Sequence, residues 1–405
     1  MEESGNGKKK KPIKRRVLFG LEIALLVVFL ILLFVYGQVT SRLNKMSSDD
    51  SREYTSNAIV KNETAPAMTG YRTYAIFGLD HRSKNEELDT ENSDTIIIVS
   101  INNDTNDVKL VSVYRDTLMY LGEDLFDKAN SGYAYGGPVT AVNMLNANLD
   151  LNITDYVTVD FSAVADLVDA VGGIEVPLSY AEIVHLNNYC KETAEETGRE
   201  YDPIPLPDPK PEDEEAVIDL YHLNGVQATS YCRIRYTASL DMGRTERQRR
   251  VIQLVTAKLK KSGLTSIFDI MDAVLPKVKT TLTATEILSM IPTLMNYSIN
   301  DTTGFPMKYR FTDVRGSSIV ADTLEDNVIE LHNFLYGEDS DYTPTTAVLQ
   351  INDRILKLVD GDAPEREDAA GLQLTDATVV PDESHITIIT QAPDGSAGPD
   401  DSETI

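Results

Sequence analysis

The chain has 405 residues, with 37 Lys and Arg against 64 Asp and Glu, a formal net charge of −27. That balance excludes a nucleic-acid binder, because a phosphate strand needs a contiguous basic footprint broader than one arginine cluster. The only two cysteines, Cys190 and Cys232, stand in no His/Cys metal-ligand spacing, which excludes a zinc-type centre and leaves open one disulfide or two free thiols. Residues 1–16 form a short basic tail holding KKKKPIKRR, and residues 17–37 (VLFGLEIALLVVFLILLFVYG) are long and apolar enough for a helix to cross a bilayer. Only Glu22 interrupts that run, near its start, where a carboxylate is far less costly than at the midplane. The basic flank predicts a cytoplasmic N-terminus and an uncleaved single-pass anchor in the cell membrane, with the bulk of the chain on the outer side. Residues 38–70 are polar and read as an extracellular linker.

Order is expected from Tyr71 onward. The runs TYAIFGL (73–79), TIIIVSI (95–101) and VKLVSVY (108–114) are nearly continuous in apolarity, which predicts strands covered on both faces. The polar NNDTND between the last two predicts a hairpin. In such a hairpin Asp94, ahead of one strand, comes beside Arg115 and Asp116, just after the other. If the strand at 73–79 runs parallel to that at 108–114, Asp80 and Arg82 reach the same edge. Loops at strand ends are favoured ligand sites in α/β sheets, so this coincidence marks a candidate site; taken singly, each residue reads as a solvated turn residue.

Next, Gly136 and Gly137 precede Pro138, a good first-turn residue for a helix carrying Val139, Val142, Met144, Leu145 and Leu149. A strand (DYVTVDF), a helix (SAVADLVDAV) and another strand (IEVPL) follow, a β-α-β alternation. The fold class is therefore α/β, a mixed central sheet flanked by helices. Residues 180–219 are charged and Pro-rich and read as a surface insertion, after which HLNGVQATSYCRIRY reads as a helix. From Asp360 the chain is acidic with few aromatics, so residues 341–405 are expected to be a largely disordered acidic tail.

Six arginines lie between Arg233 and Arg250 in YCRIRYTASLDMGRTERQRR. Arg forks match phosphate oxygens bidentately, so this run in an acidic chain points to a multiply anionic ligand. Arg244 and Gln248, at i and i+4, share a helix face. Arg233, Arg235 and Arg244 read as anion-binding; Arg247, Arg249 and Arg250 read as a solvated helix face, and Thr245 with Gln248 also fits a capping box.

In order and spacing, GLDHR, NSDTIIIVSIN, VKLVSVYRDT, KANSGYAYGG, DAVGGIEV, HLNGVQA, RIRY and DMGRTERQRRVIQ resemble the LytR-CpsA-Psr family of bacterial cell-wall proteins. The resemblance covers a domain over about residues 71–340. It implies an enzyme that transfers an undecaprenyl-pyrophosphate-linked glycopolymer, such as teichoic acid or capsule, onto peptidoglycan of a Gram-positive cell. Its partners would be that polyprenyl-linked polymer, peptidoglycan and the membrane. By position the resemblance implies that Asp80 and Asp94 hold magnesium, or manganese in its place. Arg82, Arg115, Arg233, Arg235, Arg244 and Gln248 would hold the pyrophosphate, while Arg82, Arg115 and Asp116 would act at the reacting phosphate. Asp116 is the candidate base by location, or only orients Arg115. The chain departs from the family pattern at Tyr114, where Pro is frequent, and at Ser131, where His is frequent. Two other readings stand beside the transferase: a hydrolase of the same lipid-pyrophosphate, and a non-catalytic membrane-bound regulator of cell-wall gene expression. The short cytoplasmic tail, too small to fold, weighs against the regulator.

Overall fold

The computed structural model describes residues 68–79, 91–235, 240–294, 296–337 and 341–361, together with 37, 40–41 and 47–48. The expected anchor at 17–37 lies outside them except for Gly37, as do residues 362–405. Among the described residues no helix is long and apolar enough to cross a membrane.

In chain order the strands are β1 (Ser47–Ser48), β2 (Tyr71–Leu79), β3 (Ser93–Asn102), β4 (Asp107–Val113), β5 (Leu118–Gly122), β6 (Leu125–Lys128) and β7 (Asp155–Asp160). They continue as β8 (Ile174–Ser179), β9 (Val217–Leu223), β10 (Val278–Thr280), β11 (Ser298–Phe305), β12 (Tyr309–Thr312) and β13 (Ser318–Ala321). The helices are α1 (Ser131–Leu149), α2 (Phe161–Ala170), α3 (Tyr180–Thr197), α4 (Gly225–Arg233), α5 (Leu240–Leu259), α6 (Leu264–Val274), α7 (Ala284–Leu294), α8 (Leu324–Tyr336) and α9 (Thr346–Asp360).

Seven strands build one mixed sheet in the order β1-β10-β7-β2-β3-β4-β11. The hairpin expected from NNDTND is β3–β4, antiparallel, with Ile97 opposite Ser112 and Ile101 opposite Val108. Because β3 is antiparallel to both β2 and β4, those two run in the same direction, so their C-terminal ends share one edge. β7 and β11 join parallel to β2 and β4 and end there too.

Apolar residues on both faces of β3 and β4 explain why the sheet is covered twice. Ile96, Ile98, Val111 and Val113 join Phe77, Leu79 and residues of α1, α8 and α9 in one core. Ile97, Ile101, Val108 and Leu110 meet Ile252 of α5 and Met290 and Leu294 of α7 on the other face. A further core, between α2, α3, α4, α5 and the β8–β9 ribbon, is built from Val168, Ile183, Leu186, Tyr231 and Val251 among others.

Pro138 does open a helical segment: α1 is broken at Gly136 and Gly137, whose backbones are non-helical, Gly137 at φ 65°. Three expectations need correction. The β-α-β unit is not a crossover within the central sheet, because Gly172 and Gly173, at φ 77° and 74°, turn the chain away after α2 and β8 pairs with β9 instead. The stretch read as a surface insertion begins with α3, an 18-residue helix started by a Ser179–Glu182 capping box and closed by Gly198 at φ 67°. Its Ile183, Leu186 and Cys190 are buried, so this part is core and not decoration. Finally, the tail expected from residue 341 holds α9, capped by Thr345, with Val348, Ile351 and Ile355 buried against the main core. Three such side chains contribute roughly 1.5–3 kcal/mol each, enough to fold the helix onto the domain.

Candidate active site

The hairpin brings Asp94 to Arg115, and a bulge aims it. Gly78 pairs with Thr95 and Leu79 with Ser93, so Asp94 is the extra residue on β3, left out of the ladder. Bulges of this kind redirect a side chain at a sheet edge. Gly78 permits it, since a Cβ there would stand 2.8 Å from Thr95 Cβ. The facing loop is fixed by backbone bonds: Asn130 N–H donates to Arg115 O at 3.0 Å, and Ile319 N–H donates to Asp116 O at 2.9 Å. Asn130 O in turn accepts from Ser93 N–H at 3.2 Å, tying both strand ends to one residue.

Three guanidinium groups meet on the Asp94 residue. Arg115 Nη1 donates to Oδ1 at 2.8 Å and Arg235 Nη2 to Oδ2 at 2.8 Å. Arg244 Nη2 donates to the Asp94 main-chain oxygen at 2.9 Å, with Nη1 3.5 Å from Oδ2. Asp241, one turn ahead of Arg244 on α5, lies 3.1 Å from Arg244 Nε and 3.9 Å from Arg115 Nε. Asp116 stands 3.3 Å from Arg115 Nε and 3.1 Å from Lys128 Nζ. Among the described residues Arg115, Arg235, Arg244 and Lys128 thus face Asp94, Asp116 and Asp241, four positive charges against three negative.

The electrostatics follow from that crowding. Burial alone would raise the Asp94 carboxyl, but Arg115, Arg244 and Arg235 outweigh it and hold the group below its ordinary range. Burial would lower Arg115, yet Asp94 and Asp116 push it up. Arg244, with a side chain only 3% exposed, is pulled down to about 10, first by desolvation and further by Arg115 and Arg235, against the pull of Asp241 and Asp94. Arg115 and Arg244 are therefore charged at neutral pH. Each fork carries five N–H donors, more than one carboxylate accepts. Arg115 Nε and Arg244 Nε are buried without an aligned acceptor. Such a cluster can take up oxygens of a compact polyanion.

Among the described residues, no group of three or more His, Cys, Asp or Glu could hold a metal. Asp94 itself fits a hard cation in chemistry, as an ionised oxygen donor with lone pairs beyond those its arginines occupy. Its expected partner Asp80 lies outside the described residues, as does Arg82.

The rest of the arginine run behaves differently from its sequence reading. Arg233 is not brought to the cluster. It is buried against the Phe161 and Tyr189 rings at 4.6 and 5.6 Å, with Glu196 at 2.7 Å and Glu192 at 3.2 Å, both from α3. Gln248 donates to Cys232 O at 3.4 Å, and its Oε1 is buried without a partner. The capping box fails because α5 begins at Leu240, so Thr245 is interior and its hydroxyl donates to Met242 O at 2.9 Å. The solvated face fails too: Arg247 and Arg249 are 6% and 5% exposed. Arg247 is paired with Glu182 at 2.9 Å, and only Arg250 is exposed. Asp241 and Lys128 escaped the sequence reading; an acid three residues ahead of Arg244 on a helix was the available signal for the first. Cys190 and Cys232 are both free thiols.

Known proteins share this arrangement of elements. The teichoic acid transferase TagU of Bacillus mycoides (strain KBAB4), named as a polyisoprenyl-teichoic acid–peptidoglycan transferase, is 29% identical over 63% of this chain and 74% of its own. The protein of the same name from Enterococcus faecalis is 33% identical over 47% of this chain and 55% of its own. The crystal structure of protein gbs0355 from Streptococcus agalactiae superposes with a TM-score of 0.54 at 25% identity, covering 70% of this chain and 93% of that one. The structure of TagT bound to LI-WTA, at 18% identity, TM-score 0.50 and coverage of 69% and 93%, shares the fold. The sequence model of the LytR_cpsA_psr family matches residues 33–330, a span that takes in the sheet, the bulged Asp94 and all three of its arginines, and the chain belongs to that family.

Proposed function

We propose that the protein is a phosphotransferase that moves a polyprenyl-pyrophosphate-linked glycopolymer of the teichoic acid kind onto peptidoglycan. The observation that carries this reading is the meeting of Arg115, Arg235 and Arg244 on Asp94 at the common end of β2 and β4. A pyrophosphate needs several fixed N–H donors in a partly dry place, and relatives named as teichoic acid transferases supply the polymer and the acceptor.

An acceptor hydroxyl on the glycan attacks the polymer-side phosphorus. The bond from that phosphorus to the bridging oxygen breaks, its electron pair leaves with the lipid phosphate, and a sugar phosphodiester forms. Arg115, Arg235 and Arg244 hold the two phosphates and spread the charge that grows on the leaving oxygen, an effect strongest where water is excluded. Arg244, the most buried of the three, fixes the deep side of the ligand; Arg235, 37% exposed, adjusts to it from the rim. Asp116, beside Arg115 and Lys128, either takes the acceptor proton or keeps Arg115 oriented. Asp94, with Asp80 as its partner in the sequence, would hold magnesium, which when bound neutralises pyrophosphate charge and polarises the breaking bond. The apolar segment at 17–37 would anchor the domain on the outer side of the membrane, where both substrates meet.

The test uses the purified full chain, a synthetic polyprenyl-pyrophosphate oligosaccharide labelled in the sugar, and glycan strands. Label on the glycan with release of polyprenyl phosphate is expected, and excess chelator should stop it. Label released as free sugar phosphate would show a hydrolase, and no cleavage at all would refute phosphoryl chemistry at this site.

A further inference from the structure

Arg249 has no role in the cluster on Asp94, and its situation is unlike that of its neighbours. Arg233, Arg244 and Arg247 are each buried beside a carboxylate: Glu196 at 2.7 Å, Asp241 at 3.1 Å and Glu182 at 2.9 Å respectively. Arg249 is 5% exposed, donates through Nη1 to Thr245 Oγ1 at 3.2 Å, and has a buried Nε with no partner. Among the described residues it makes no ion pair. A buried cation with no carboxylate in contact among the described residues is a costly arrangement, which an anion placed beside Arg249 would relieve.

The place where it is held is informative. Its electrostatic neighbours are the Tyr114 hydroxyl and the exposed Glu246. Tyr114 immediately precedes Arg115; its N–H donates to Phe305 O at 2.9 Å and its ring lies edge-on to Tyr309 at 5.8 Å. The Tyr114 hydroxyl occupies the space over Gly304, where a Cβ would stand only 2.2 Å from it. Arg249 and Tyr114 therefore sit over the ends of β4 and β11, at the edge where Arg115 and Asp94 meet. The phenol at the position before Arg115 supplies a hydrogen-bond donor at that edge.

We propose that Arg249 and Tyr114 form a second anion subsite beside the pyrophosphate cluster, taking a negatively charged group on the sugar end of the ligand, either a phosphodiester or a uronate carboxylate. The proposal rests on the lipid-pyrophosphate reading above and narrows it to polymers that carry charge close to the linkage.

Three synthetic ligands test it on the full chain in detergent, by calorimetry. All share one polyprenyl pyrophosphate and one disaccharide; the first is otherwise neutral, the second adds a glycerol phosphate, and the third replaces one sugar with a uronic acid. Wild type should bind one charged ligand roughly ten- to a hundredfold more tightly than the neutral one, the range for a charge-assisted pair of hydrogen bonds. Whichever gains identifies the group as phosphodiester or carboxylate. The advantage should vanish in Arg249→Gln and return in part in Arg249→Lys, whereas Arg244→Gln should weaken all three ligands alike. Equal wild-type affinities for all three ligands would overturn the subsite while leaving the main reading standing. Binding of none would overturn the lipid-pyrophosphate reading and the subsite together. A melting temperature that falls by several degrees in Arg249→Gln would also overturn it, because loss of an unpaired buried charge should leave stability unchanged or raise it.

Discussion

Asp94→Asn keeps the shape of the bulged side chain and removes its charge. In the wild type each carboxylate oxygen accepts from a guanidinium at 2.8 Å, one from Arg115 and one from Arg235. Asp241 and Asp116 stay in place at 3.1 Å from Arg244 and 3.3 Å from Arg115, so the variant strands no cation outright, and the 3–5 kcal/mol typical of an orphaned buried charge does not apply. What is lost is one partly buried charge-assisted bond at about 1.5–3 kcal/mol and a second, to Arg235, discounted heavily for solvent screening. The ligand-free protein should therefore lose about 2–3 kcal/mol and melt several degrees lower. Adding a polyanion should reverse the order of effect. Without metal, three guanidinium groups freed of their resident carboxylate should bind pyrophosphate more tightly than in the wild type. At a concentration near 100 times Kd, the variant should recover about 2.7 kcal/mol. With magnesium present the wild type should gain further and the variant should not. The assay is a thermal melt of the full chain over a pyrophosphate series, in chelator and in magnesium. Pyrophosphate that stabilises neither protein, or both equally in chelator, would refute the assignment of these arginines to anion binding.

His332, whose Nε2 lies 2.9 Å from Leu149 O, is pulled by burial from 6.5 to about 4. The unfolded chain therefore takes a proton first as pH falls, and the fold should lose about 3 kcal/mol from this group between pH 6.5 and 4. Asp150, raised by burial, works in the opposite sense, so the readout is the difference in denaturant stability between wild type and His332→Asn at pH 7 and pH 4.5, and equal slopes would count against it. Cys190 and Cys232 are free, and burial raises both thiols, Cys232 to about 12. The intact mass should not change on reduction, and maleimide should label them rapidly only after unfolding; a gain of about two hydrogens would reveal a bridge. A chain ending before Thr346 loses the buried Val348, Ile351 and Ile355, on the order of 5–9 kcal/mol, and should fail to fold. A chain ending after Gly361 should melt with the full-length protein, as circular dichroism can show.

The hairpin and the site at its end were legible because two apolar runs and a polar turn cluster fix both pairing and register, which carries Asp94 to Arg115 without any knowledge of distant contacts. The arginine run was half legible. Arg235 and Arg244 reach the cluster, but the fates of Arg233 and Arg247 are decided by Glu192, Glu196 and Glu182 on α3, a helix far away in sequence. No local pattern announces that meeting, and Arg reads by default as solvated. α3 and α9 themselves left signals that composition masked: Ser179 with Glu182 forms a capping box, and Val348, Ile351 and Ile355 stand at i, i+3 and i+7. β9 left almost none, since Val217, Ile218 and Leu220 are exposed on a two-stranded ribbon and alternate with nothing buried.

The β3–β4 ladder also works as a ruler. Five consecutive backbone pairings set the separation of the carboxylate from the Arg115 fork, and the turn at residues 103–106 lies at the opposite extremity of the hairpin. At the anion site proposed above, such a stiff gauge would favour ligands whose negative oxygens match that separation over shorter or longer ones. The same rigidity makes the remote turn a natural port for a reporter peptide, whose insertion there would leave the gauge unread and undisturbed.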